Sequence, residues 1–431
     1  MKYNSNDYVT RVLDSPLQLD AARWNALLAR QDAPSPFMRH EYLAAMERSE
    51  SATPATGWTP RFITLWRGEE LQAGCALYLK DHSYGEYVFD WAWANAYEQH
   101  RLAYYPKAVI ASPFTPVPGA RLLACDAAAR QALLKSVLAW CARERLSSLH
   151  LLFAADEDIA ACAAAGLMLR HTVQFHWKNV APTLAAGASS LPPEGARFPL
   201  GRPGGETSAP TPATGASSCW RDFDAFLASL AQDKRKKIRQ ERRKVAEAGV
   251  TFRWSQGRDI AAADWDFFYR CYERTYYEHG NAPYLTRDFF RRMAHDMPEN
   301  WLLFVAQRGR KPVAASLIAL GSQAARNPPH GEKVAYGRYW GALERVDCLH
   351  FEACYYQPLQ WCIEHGYDRF EGGAQGEHKM ARALMPVKTT SAHWLAHPAF
   401  ADAIERFLER EGQGIGGYLE HLERRSPFRQ A

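Results

Sequence analysis

Along residues 61–79, RFITLWRGEELQAGCALYL, apolar positions alternate or run together on either side of a Gly-centred break, the pattern of two strands joined by a tight turn. Residues 301–320, WLLFVAQRGRKPVAASLIAL, repeat it at an offset of 241, with Arg67-Gly68 matching Arg308-Gly309 and Gly74 matching Ala315. A third element follows in each half. GEYVFDWAW (85–93) and GEKVAYGRYW (331–340) both leave a polar loop and enter an aromatic-rich run that reads as a strand, now at an offset of 246. Each half then carries a helical pattern and a short strand: Asp126 to Arg145 with Ser148 to Phe153, and Tyr355 to His365 with Asp368 to Glu371. Elements recurring in the same order predict a tandem copy of one α/β unit. The unit is a hairpin, a strand, a helix and a strand, so the fold class is α/β (α+β) with a mixed sheet whose last strands are joined by a helical crossover. Such sheets place ligands where strand passes to helix, which points to the loops after Asp90 and Trp340.

One stretch belongs to neither copy. From Ala181 to Ser218, 30 of 38 residues are Ala, Gly, Ser, Pro or Thr, too few bulky side chains to offset the entropy of ordering. The expected organisation is therefore an N-terminal domain over 1–180, a flexible insert over 181–218, a basic helical segment over 219–249 and a C-terminal domain over 250–431. The net charge of +5 is too small to identify a nucleic-acid binder. Its local distribution says more: 8 of the 11 positions from Lys234 to Lys244 are cationic. Lys236, Lys237, Arg242 and Arg243 are candidates for an anionic partner such as tRNA, and Ile238 and Val245 share the face by which the same helix would dock as an ordinary solvated one. The nine cysteines form no CxxC pair and sit in apolar segments, which fits a reducing cytoplasm. No apolar run approaches the roughly 18 residues of a membrane span, so no membrane insertion is expected.

The densest chemical signal follows the short strand ending at Glu371. Gly372, Gly373 and Gly376 allow close backbone approach, and Gln375, Glu377, His378, Lys379 and Arg382 crowd around them. Exposed N–H groups in such a turn suit an anion or a developing oxyanion, although a tight turn with a solvated polar rim has the same composition. The run Leu343 to Gln357 reads mostly as a loop bordering a cleft, with Pro358 in the first turn of the following helix. His350 on it is a candidate ligand contact. His350, Glu352 and Cys354 lack a fourth metal ligand, so no metal is expected. Arg121, after Pro118 and Gly119, falls where a first-domain substrate loop would meet its helix. Trp91 and Trp93 alternate on the expected strand and read as core, while the group they form with Tyr97, Tyr104 and Tyr105 is rich enough to stack a sugar or base.

FEGGAQGEHKMARALMPVKTTSAHW (370–394), SPFTPVPGARLL (112–123), LHFEACYYQP (349–358) and DKRKKIRQERRKV (233–245) together resemble the FemAB-like branch of the GNAT acyltransferase superfamily. The resemblance implies two tandem GNAT-like domains, as in Fem aminoacyltransferases. It also implies acyl or aminoacyl transfer to an amine of a peptidoglycan precursor or related peptide, with aminoacyl-tRNA or acyl-CoA as donor. Gly372, Gly373, Lys379 and Arg382 are the positions matching the family's substrate cleft. Arg369 to Ala374 satisfies the R/QxxGxG/A spelling that GNAT enzymes use for the CoA pyrophosphate, one element later than usual. Amine attack needs a base, for which Glu371 and His378 are the candidates, and oxyanion stabilisation by N–H groups, Lys or Arg. Two other classes stay open: a non-catalytic peptidoglycan-recognition protein and an RNA-binding accessory protein. The C-terminal copy, with more ionisable groups, is the expected working one.

Overall fold

The structure, a computed structural model, describes residues 8–180, 219–322, 331–374 and 376–429. The Ala/Gly/Pro-rich segment 181–218 lies outside the described residues, as does Gln375. In chain order the first half comprises β1 (Val9–Leu13), α1 (Ala21–Ala29), α2 (His40–Arg48), β2 (Trp58–Arg67), β3 (Glu70–Lys80), α3 (Trp91–Gln99), β4 (Lys107–Ile110), β5 (Leu123–Ala124), α4 (Ala127–Arg143), β6 (Ser148–Leu151), α5 (Asp156–Ala164) and β7 (Met168–Lys178). Helices α6 (Phe223–Ser229) and α7 (Gln232–Glu247) lead to the second half. It comprises β8 (Val250–Gln256), α8 (Ala262–Glu278), α9 (Arg287–Asp296), β9 (Trp301–Arg308), β10 (Lys311–Ser322), β11 (Lys333–Ala342), α10 (Leu349–Phe351), α11 (Gln357–Glu364), β12 (Arg369–Ala374), β13 (Met385–Leu395) and α12 (Pro398–Glu423).

All strands join one mixed sheet of order β1-β2-β3-β4-β6-β13-β7-β12-β11-β10-β9-β8, with β5 set against β3. The order is a mirror about its centre. Among the described strands only β4·β6 and β11·β12 are parallel, and each pair is linked by a helical crossover, α4 in one half and α10–α11 in the other. The two copies expected from the pattern are thus present, and they exchange their last strands. β6 pairs with β13 of the other half, β12 pairs with β7, and β7 and β13 run together from Met168/His393 to His176/Met385. The core respects no boundary between halves either, since Trp24, Phe37 and Tyr42 share one apolar cluster with Phe268, Phe289 and Tyr336.

Two expectations fail for local reasons. GEYVFDWAW is not a strand: Gly85 and Tyr87 adopt φ of +81° and +61°, which interrupts extended backbone, and α3 begins at Trp91. Trp93 and Tyr97, four apart, share its buried face, while Trp91 is 38% exposed. The true counterpart of β11 is β4. Likewise the run before Pro358 is helical from Leu349 onward, not a loop. Proline in a helix removes one N–H and clashes with the carbonyl four residues back; a wide π turn over Glu352–Tyr356 precedes it and lets the helix continue.

The basic segment forms α7, seated by Ile238, Glu241 and Val245. All nine cysteines are free. Among the described residues no helix is long and apolar enough to cross a membrane, and no cluster of three or more His, Cys, Asp or Glu could hold a metal ion.

Candidate active site

Parallel strands β11 and β12 pair only from Val334/Arg369 to Tyr336/Glu371 and then part. Just beyond the split β11 carries a bulge: Ile318 of β10 faces Gly337 and Leu317 faces Tyr339, leaving Arg338 unopposed. A cavity of about 350 Å³ fills the gap, with Gly337, Arg338 and Tyr339 on one side and Gly372 and Gly373 on the other. It reaches both faces of the sheet. On the face covered by α10 and α11 it is lined by His350, Tyr355, His378 and Lys379; on the face covered by α8 it is lined by Tyr87, Phe114, Tyr272 and Tyr276. Glycine is what keeps the passage open at β12, since a Cβ at Gly372 would lie 2.4 Å from Leu384 and Gly373 holds φ +80°.

Among the described residues no Asp or Glu lines the cavity. Lys379 Nζ donates to the Gly373 carbonyl at 2.9 Å, and burial pushes its pKa down to about 8, leaving it cationic at neutral pH. His350, although its side chain meets solvent at the rim, is lowered by partial desolvation and then by His378, Arg382 and Lys379. His378, exposed at the rim, is also lowered, first by its partial burial and then by Arg382 and Lys379. Both imidazoles are therefore neutral at pH 7 and able to accept a proton, beside an ammonium able to meet negative charge.

The FemAB-like family model, described as peptidoglycan biosynthesis/recognition, matches residues 15–183 and 216–430. The chain belongs to the FemAB-like family. Similar solved structures include FemX (11% identity, covering 92% of this chain and 100% of that one, TM-score 0.49). L-PGS from Bacillus licheniformis is 11% identical, with 90% and 97% covered and a TM-score of 0.48. A tandem GNAT protein from the clavulanic acid biosynthesis pathway is 12% identical, with 91% and 99% covered and a TM-score of 0.42.

Of the residues singled out in this FemAB-like chain, Gly372, Gly373, His350, His378 and Lys379 meet at the cavity. Glu371 does not line it. Strand alternation turns Glu371 to the other side of β12 from Gly372, where it is buried with Arg369 Nε at 3.2 Å and His176 Nε2 at 3.9 Å. Burial pushes its pKa up to about 7 against the opposing pull of Arg369. Arg382 is likewise committed elsewhere. At 1% exposure its Nη2 donates to both Glu241 oxygens at 3.0 and 2.9 Å, its Nη1 to the His378 carbonyl at 2.7 Å, and its guanidinium lies 3.6 Å from the Phe351 ring centroid. It fastens α7 to the 3-10 turn Glu377–Arg382. Gly376, at φ +110°, starts that turn, and a Cβ there would lie 2.5 Å from the His378 ring. Arg369 to Ala374 is strand β12 itself, so the pyrophosphate spelling meets no helix N-terminus.

On α7, Arg242 pairs with Glu352 and Gln360 at 3.1 and 3.0 Å, and Arg243 with Glu247. Lys236 and Lys237 are exposed and make no ion pair among the described residues. Arg121 belongs to the scaffold of the first half, where the β4/β6 gap is filled by the chain itself. Gly119 bridges to Ala154, and Arg121 donates to the carbonyls of Leu152 and Val117 at 2.9 and 2.5 Å while its own N–H reaches Asp158 at 2.6 Å. The segment that closes the first gap walls the second, since Phe114 and Pro116 line the cavity and the Phe114 carbonyl accepts from Arg338 at 2.8 Å.

Sequence reasoning missed Arg338 and the aromatic wall. The cation beside Gly337 in GEKVAYGRYW and the four-residue spacing of Tyr272 and Tyr276 were the available signals.

Proposed function

We propose that this FemAB-like chain transfers an acyl or aminoacyl group to an amine of a peptidoglycan precursor or related peptide, in the gap between β11 and β12. The observation that carries the reading is that side chains from both faces of the sheet line one cavity where β11 and β12 part, a place where donor and acceptor can be held against each other. Family membership supplies the peptidoglycan connection.

The amine nitrogen attacks the donor carbonyl carbon, forming the C–N bond. The oxyanion of the tetrahedral intermediate is met by the Lys379 ammonium, already held at the Gly373 carbonyl. Neutral His378 takes the amine proton and returns it to the departing oxygen of an ester donor or sulfur of a thioester donor as the C–O or C–S bond breaks. Exposed Lys236 and Lys237 on α7 support a phosphate-bearing donor such as aminoacyl-tRNA; acyl-CoA is the other donor the family suggests.

Purified protein should deacylate charged tRNA or release free CoA only when an amine acceptor is present. Lys379→Met and His378→Ala should each reduce turnover by about 10²-fold or more. Failure with both donors across a broad acceptor panel overturns the proposal and leaves recognition without turnover.

A further inference from the structure

Arg338 is the cavity's unexplained charge. The bulge on β11 aims it into the gap, where its guanidinium lies 5.7 and 5.2 Å from the ring centroids of Phe37 and Tyr339. Its Nη2 donates to the Phe114 carbonyl at 2.8 Å, but its Nε is shut off from solvent with no partner. Among the described residues no carboxylate lies within ion-pair distance of it, in contrast to the buried Arg382, paired with Glu241, and the half-buried Arg369, paired with Glu332 and Glu371. A cation held among aromatic rings, with no carboxylate in direct contact and one N–H unpaired, keeps hydrogen-bonding capacity for an anion that enters the cavity.

We propose that Arg338 recognises a free carboxylate on the acceptor, so that the amine-bearing substrate is an amino acid or peptide whose carboxylate lies close to the reacting amine. The inference rests on the transferase reading of this cavity. The planar guanidinium fork matches a carboxylate edge, and about 350 Å³ holds one amino-acid-sized group. The donor cannot supply that group, because its carboxyl carbon is bound up in the ester or thioester. Lys379 serves the oxyanion at the other face, so the two cations have separate duties.

The test is calorimetric binding to the full chain with two probes, alanyl-lysine and its C-terminal amide. The wild type should bind the acid about tenfold to a hundredfold more tightly than the amide. Arg338→Met should bring the two to parity, with its thermal melt confirming that it folds. Arg338→Lys should keep part of the preference and serves as the readout if the Met variant does not fold. Equal binding of acid and amide by the wild type, no binding of either, or an undiminished preference in Arg338→Met overturns the inference. Inorganic phosphate binding more tightly than the dipeptide, with loss in Arg338→Met, assigns the site to a phosphate group and overturns the carboxylate. Acid preference without turnover removes only the transferase reading; turnover without acid preference removes only this one.

Discussion

Replacing Arg382 by Met separates a structural cation from a substrate-binding one. The side chain is 1% exposed and supplies two of the hydrogen bonds to the Glu241 carboxylate. Without it, Glu241 keeps, among the described residues, only the Tyr356 hydroxyl as a side-chain donor in a buried setting on α7. Breaking a buried pair from one side costs about 3–5 kcal/mol, because the remaining charge is desolvated and unmatched. Arg382→Met should therefore lower stability by about that amount in equilibrium urea unfolding. Glu241→Leu combined with Arg382→Met should recover most of the loss, since no charge is then stranded. Arg382→Lys should fall between, keeping the charge at Glu241 but not the second nitrogen that reaches the His378 carbonyl. If Arg382→Met is within about 1 kcal/mol of the wild type, or if the double variant costs the sum of the singles, Arg382 does not fasten α7 and is available to substrate after all.

Further expectations concern packing and protonation. A Cβ on Gly341 would stand 1.9 Å from the Cys271 carbonyl of α8, a main-chain atom that cannot swing aside, so Gly341→Ala should cost about 3 kcal/mol or more and show as a lowered melting temperature. Turnover should fall as pH rises through about 8, tending to tenfold per unit, as Lys379 loses its proton, and Lys379→Met should lack that limb in a pH–rate profile. His393, buried against His150 at 2.7 Å between their Nδ1 atoms, has its pKa pushed down to about 3 by burial and by Arg170. The unfolded chain takes up this proton near pH 6.5 and the folded chain does not. Its stabilising contribution is thus complete above pH 6.5 and lost toward pH 3, at about 1.4 kcal/mol per unit; His393→Gln should flatten urea midpoints against pH by one proton in that window.

The hairpins β2–β3 and β9–β10 were legible because alternation and a Gly turn are local properties, and Val9 of β1 and Val250 of β8 preserve the same spacing. The third strand was not. Aromatic content in GEYVFDWAW looked like β propensity, whereas the burial of Trp93 and Tyr97 at helical spacing decides the outcome. Strand exchange was invisible for a different reason: β7 and β13 alternate equally well beside any partner, and pairing across more than two hundred residues leaves no local mark. At the site, the Gly-rich turn announced Lys379 and His378, but side-chain direction did not follow from composition. One step along β12 takes Glu371 out of the cavity that Gly372 and Gly373 open, and a bulge brings Arg338 in. The aromatic wall comes from segments near residues 87, 114 and 272–276, which only the folded chain assembles.

The account stands or falls on where a reacting substrate sits. A crystal structure with a non-hydrolysable aminoacyl-adenosine conjugate joined to an acceptor amine should show it threading between Gly337 and Gly373, its carbonyl mimic beside Lys379. Density confined to the first half, or to the outer surface of α7 with the gap between β11 and β12 unentered, would contradict it.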